Sequence, residues 1–176
     1  MGCDIHFYLE RFTTDPEPIS PTNKIEKVRD EKIDTIINDK SQSKSEIPRW
    51  ITADKWKLYY EDSEDEYWEV ERESRFYSGR NYWLFYFLAE VRYGVVEPIS
   101  PPRGIPDDAS DAYNFIVKSW MGDGHSHSYF TLTELLSIDD DIWDKIKAPE
   151  FRRTLKKMKE IDSNTDNVRA CFFFDN

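Results

Sequence analysis

Asp4-Ile5-His6 and Gly124-His125-Ser126-His127 are the two places in this chain where residue type and spacing offer chemistry. Together they hold all three histidines. Side chains two apart on an extended strand point the same way, about 7 Å apart. Each word therefore predicts a pair of ligand-capable groups on one face. Imidazole binds metal, moves protons or grips phosphate near neutral pH. Asp4, His6, His125 and His127 could thus form a zinc or manganese site. Equally, the histidines could form one wall of an anion pocket that needs no cofactor.

Arginines and hydroxyls supply the rest of that second option. Arg80 with Asn81, and Arg103 in the stiff Pro-rich stretch Glu97–Asp108, stand beside expected helix ends. Guanidinium groups fork onto phosphates, Ser126 and Ser128 add donors, and Tyr82 offers a face on which a base stacks. Each arginine has an alternative partner in the chain's many acids. A Cys-His nucleophile is excluded, because alternation puts Cys3 on the apolar side of its strand, opposite His6.

These groups need elements to position them. Residues 3–11 alternate, with Cys3, Ile5, Phe7 and Leu9 apolar and Asp4, His6, Tyr8 and Glu10 polar, which predicts a half-buried strand with Glu10 facing solvent. Val168–Phe174 reads as a last strand. The stripe in Asn81–Tyr93 predicts a helix stopped by Gly94, and further helices are expected about Ala109–Trp120 and Pro149–Ile161. Thr131-x-x-Glu134 has capping-box form, so the second histidine word leads directly into a helix. The predicted fold is α+β: a mostly antiparallel sheet that includes both terminal strands, packed with helices. One domain over residues 1–176 is expected. It carries a peripheral insertion at 13–49, weakly helical about Lys24–Ile37, and a β-hairpin at 55–72 with an acidic tip.

Composition narrows the classes of function. With 176 residues and 15% aromatics the chain can bury a core and still spare rings for flat ligands. A net charge of −11 argues against broad nucleic-acid binding but permits a small anion in a local cationic pocket. No apolar stretch suits a membrane span, and the myristoylation pattern fails at His6. Two cysteines and no signal peptide point to a reduced cytosol.

Two resemblances bear on function. Asp4-x-His6 and Gly124-His125-x-His127 are similar to two words of the calcineurin-like metallophosphoesterases, although that family's Gly-Asp and Gly-Asn-His-Asp/Glu motifs are absent here. More extensively, Met1-Gly2-Cys3-Asp4-Ile5-His6, Gly79-Arg80-Asn81-Tyr82 with Leu84-Phe85, Pro102-Arg103-Gly104-Ile105-Pro106-Asp107-Asp108, Asp123–Ser128 and the ending Val168–Asn176 resemble a family of phage and prophage proteins. The resemblance spans the chain outside roughly residues 12–75. It is similar in turn to oligomeric phage sponge proteins that sequester the cyclic-nucleotide signals of CBASS immunity. That resemblance implies a cytosolic homo-oligomer, a tetramer being one such assembly, which binds a small anionic nucleotide without a cofactor and without catalysis. Asp4, His6, Arg80, Asn81, Tyr82, Arg103, His125, Ser126, His127 and Ser128 would line its pocket. The alternatives are a metal-dependent phosphodiesterase and an acidic inhibitor that mimics DNA with the hairpin around Glu61–Glu73.

Overall fold

A computed structural model describes residues 2–18, 20–22, 45–60, 66–120 and 122–175. The helical stretch expected at Lys24–Ile37 and the acidic tip at Glu61–Asp65 lie outside the described residues.

Six strands are described: β1 (Ile5–Thr13), β2 (Arg49–Thr52), β3 (Trp56–Tyr60), β4 (Glu66–Val70), β5 (His125–Thr131) and β6 (Val168–Phe174). Five α-helices lie wholly within the described residues: α1 (Tyr82–Ala89), α2 (Asp111–Ser119), α3 (Leu132–Leu136), α4 (Asp140–Lys145) and α5 (Pro149–Met158). The main sheet has the order β2-β1-β6-β5 with antiparallel neighbours, and β3 and β4 pair as a separate hairpin. The fold is therefore α+β, with both terminal strands side by side at the sheet's centre.

Alternation along β1 and β6 divides the apolar side chains between two layers. Ile5, Phe7, Leu9, Phe172 and Phe174 join Leu84, Leu88, Phe151 and Leu155 of α1 and α5 in the larger core. Cys171 and Phe173 point the other way, into a second cluster with Ala112, Tyr113 and Ile116 of α2 and Trp56 and Val70 of the hairpin. All seven residues of β6 are buried as a result. Burial of each phenylalanine of the Phe172–Phe174 run stabilises by about 1.5–3 kcal/mol.

The second layer corrects the reading of β1 as a strand with a solvent side. Glu10 is only 1% exposed, because α2 and the hairpin cover the face on which it lies. Gly94 is likewise not the stop of α1. That helix ends at Ala89, with Glu90 in the left-handed region at φ 56° as its C-cap. Gly94 is instead required by contact, since a Cβ there would come within 1.9 Å of the Tyr86 ring. The capping box is present: Thr131 Oγ1 accepts from the Glu134 backbone N–H at 3.2 Å, and Glu134 Oε2 accepts from the Thr131 N–H at 2.8 Å.

Candidate functional site

Strand order brings the two histidine words together. β6 runs between β1 and β5, and His6 stands opposite Phe173 in the register. The His6 ring stacks on Phe173 with centroids 4.7 Å apart, and the His127 ring lies on the same phenylalanine at 5.1 Å. Trp120, the residue that ends α2, lies over His6 at 4.2 Å. Two imidazoles and an indole thus surround one buried phenyl ring. Past the end of β6, Asp175 accepts from the Asp4 backbone N–H at 2.9 Å and pairs with His6 Nε2 at 3.1 Å. Burial works to raise the Asp175 carboxyl, but the Asp4 N–H and His6 outweigh it and hold it below the ordinary range. With Nε2 occupied, Nδ1 is the ring nitrogen that His6 keeps for another partner.

His125 does not share the face of His127, contrary to the expectation from their spacing. His125 pairs with Phe174 and Ser128 with Phe172, so three steps on β5 match two on β6. The extra residue is a β-bulge, and Ser126 takes up the irregularity at φ 51°. His125 therefore faces the larger core, with its ring 6.2 Å from Phe174, and bonds Ser126 Oγ through Nδ1 at 3.0 Å. Burial lowers the His127 pKa, the Gly124 carbonyl opposes that shift, and His125 adds to it. His125 Nε2 and His127 Nδ1 are both buried without a hydrogen-bond partner among the described residues.

The other residues singled out in the sequence are occupied in supporting the fold. Asp4 receives both Nε and Nη2 of Arg80, at 2.7 and 2.6 Å. Asn81 caps α1, accepting from the Trp83 and Leu84 N–H groups, while its amide donates to the Ile146 and Lys147 carbonyls. Tyr82 lies under Arg92. Arg103 pairs with Glu134 at 2.8 Å and lies over Phe130 at 4.2 Å. Ser128 is fully buried and accepts from the Arg103 backbone N–H. The structure brings together His6 and His127, with Asp4 beside them through Asp175. Arg80, Asn81 and Tyr82 line a separate groove of about 500 Å³ with Lys147 and Trp83, and Arg103 braces the edge of β5.

His6 opens instead onto a cleft of about 400 Å³ between β1, α2 and the hairpin. Tyr8, Trp56, Trp68 and Trp120 give it aromatic walls, and Arg75 adds a cation. Arg75 is held by Glu69 and donates through Nε to the Val70 carbonyl at 3.4 Å. Sequence reasoning missed these wall residues. The signal was present in the alternation that puts Trp56 and Trp68 at hairpin positions, but nothing local tells that the hairpin folds back over His6.

A buried charged cluster was missed as well. Arg169 donates to Glu10 Oε2 at 2.5 Å and Asp108 Oδ1 at 2.7 Å, and lies over the Trp50 ring at 4.0 Å. Glu10 also accepts from the Ser110 N–H at 2.7 Å and the Cys171 thiol at 3.3 Å. Each charge is paired, as burial demands. The cluster ties the start of α2 to β1 and β6.

The metal reading fails a test of fit. Among the described residues, no three His, Cys, Asp or Glu side chains converge as metal ligands. Arg80 holds the Asp4 carboxylate, and the bulge sends His125 to the opposite face from His6. Zinc or manganese held by Asp4, His6, His125 and His127 would need that face restored. No family model matches the chain, and comparison with curated proteins and with solved structures returned no match. No helix among the described residues is long and apolar enough to cross a membrane.

Proposed function

We propose that this is a phage-encoded counter-defence protein that binds and sequesters a cyclic nucleotide immune signal in the host cytosol, acting as a homo-oligomeric sponge. One observation carries the reading: the cleft beside His6 combines aromatic walls with an oriented imidazole and an arginine. Planar bases stack on aromatic faces at about 1–3 kcal/mol per base, and the partly exposed Trp68 and Trp120 offer such faces in the cleft. His6, paired through Nε2 with Asp175, presents its second ring nitrogen to a donor on a base edge when neutral and to a phosphate when protonated, and Arg75, held by Glu69, adds a guanidinium. A cleft of about 400 Å³ lies within the usual size of small-molecule sites.

The test is depletion. Purified protein is incubated with a panel of cyclic di- and trinucleotides, the unbound fraction is measured, and the protein is then denatured by heat. A nucleotide that disappears on mixing and returns intact on heating supports sequestration, and Trp68→Ala should weaken its capture. A cleaved product, or no depletion of any member of the panel, rejects the reading.

A further inference from the structure

Another hollow, of about 340 Å³, lies along the segment Arg75–Gly79 and adjoins the aromatic cleft. Arg75, Tyr77 and Ser78 line both. Its outer wall is α5, from which Arg153 and Lys157 project. These two are four apart, hence on one helix face. The wall is fixed in place: Thr154 Oγ1 donates to the Phe76 carbonyl at 2.6 Å, while Phe151 and Leu155 are buried in the core.

Three cations around one small hollow are unexpected in a chain with 35 acidic and 24 basic residues. Two carboxylates offset part of that charge: Glu69 holds Arg75, and Glu150 lines the hollow beside Arg153. Arg153 has Glu150 at 3.7 Å, with both side chains about two-thirds exposed, a geometry that contributes little. Lys157 has no ion pair among the described residues. The lining still sets Arg75, Arg153 and Lys157 against Glu150 as its one acid. The space suits a phosphate or pyrophosphate group.

We infer that the hollow bounded by Arg75, Ser78, Arg153 and Lys157 is an anion subsite that takes the phosphate groups of a ligand whose ring lies in the adjoining aromatic cleft. The ring's place in the cleft rests on the nucleotide-binding role proposed above, whereas the hollow's affinity for anions does not. Arg75, shared by the two spaces, would contact the ligand where ring and phosphate join.

Calorimetric titration of the intact protein with inorganic pyrophosphate at low ionic strength tests this. Arg153→Glu/Lys157→Glu is compared with Lys118→Glu/Lys145→Glu, which changes net charge equally at a distance. Wild type and the distant variant should bind pyrophosphate comparably, and the α5 variant at least about tenfold more weakly, as loss of one charge-assisted contact predicts. Arg153→Gln/Lys157→Gln provides the same comparison should the reversed charges unfold α5. Absence of binding to wild type, or equal weakening in the two charge-reversal variants, overturns the subsite. A cyclic nucleotide captured equally by wild type and the α5 variant overturns its use for ligand phosphates and leaves the sponge role standing. Site-selective loss of pyrophosphate binding, with no nucleotide captured, supports the subsite and removes the sponge role.

Discussion

Asp175 and His6 are 169 positions apart in sequence and 3.1 Å apart in space, and through them the chain's last described residue fixes one of its first. Because Asp175 also accepts from the Asp4 backbone N–H, Asp175→Ala should destabilise the fold by about 1–2 kcal/mol, toward the low end for hydrogen bonds to a charged group because one is exposed and the other part-buried. The carboxyl is held below the ordinary aspartate range. Its stabilising contribution is thus present above about pH 4 and is lost as pH falls through the folded-state value. Urea denaturation of wild type and Asp175→Ala between pH 3 and 7 should show a gap that closes on the acid side. A gap of constant size would exclude this role.

Two other carboxyls work in the opposite direction. Burial pushes Asp54 up to about 7 against the Leu9 N–H that it accepts, and Glu10 adds to the rise. Burial likewise pushes Glu17 up to about 7, opposed by the Thr52 N–H and Arg49. Between about pH 4 and 7 the folded chain keeps protons that the unfolded chain has released, so stability falls as pH rises through that window. Asp54→Asn retains an acceptor for Leu9 and removes one titration. Wild type should lose at least about 1 kcal/mol more than Asp54→Asn between pH 5 and 8. Parallel profiles would show that Asp54 ionises normally.

Arg169 and Glu10 exchange a 2.5 Å contact at 4% and 1% exposure. Removing one partner leaves the other charge buried, at a cost of about 3–5 kcal/mol. Arg169→Met should therefore be severely destabilising, and Arg169→Met/Glu10→Leu should recover more than half of the loss. The recovery is read by chemical denaturation. A single variant costing under about 1 kcal/mol would mean that Glu10 takes up a proton or reaches water.

These effects separate what local pattern can tell from what it cannot. Alternation marked β1 and β6, and Thr131-x-x-Glu134 marked the start of α3, because periodicity and capping are written in neighbouring residues. Glu10 was misread because its partners, Arg169 and Ser110, come from β6 and the start of α2. The site shows the same division. The meeting of His6 with His127 depends on β6 inserting between their strands, and Trp120 reaches His6, with Trp56 and Trp68 lining the same cleft, only once α2 and the hairpin cover the sheet. Arg80 and Arg103 looked available for a ligand because sequence spacing does not show that Asp4 and Glu134 bind them.

The histidine spacing failed at one residue, and that residue provides a test. Ser126 holds φ 51° in the bulge that turns His125 away from His127. A β-branched side chain in this region costs about 1–2 kcal/mol, whereas glycine is at ease there. Ser126→Val should lower stability by that amount, and Ser126→Gly should stay within about 0.5 kcal/mol of wild type. The His127 ring reports on the same bulge. Burial depresses its pKa, so the unfolded chain binds the proton more readily and stability declines as pH falls through about 6.5. NMR titration should place His127 below the ordinary histidine range in wild type and Ser126→Gly, and nearer that range in Ser126→Val as the ring leaves Phe173. If the valine variant keeps both its stability and the depressed titration, the bulge does not position His127. The joint wall of His6 and His127 would then have to be set by β6 alone.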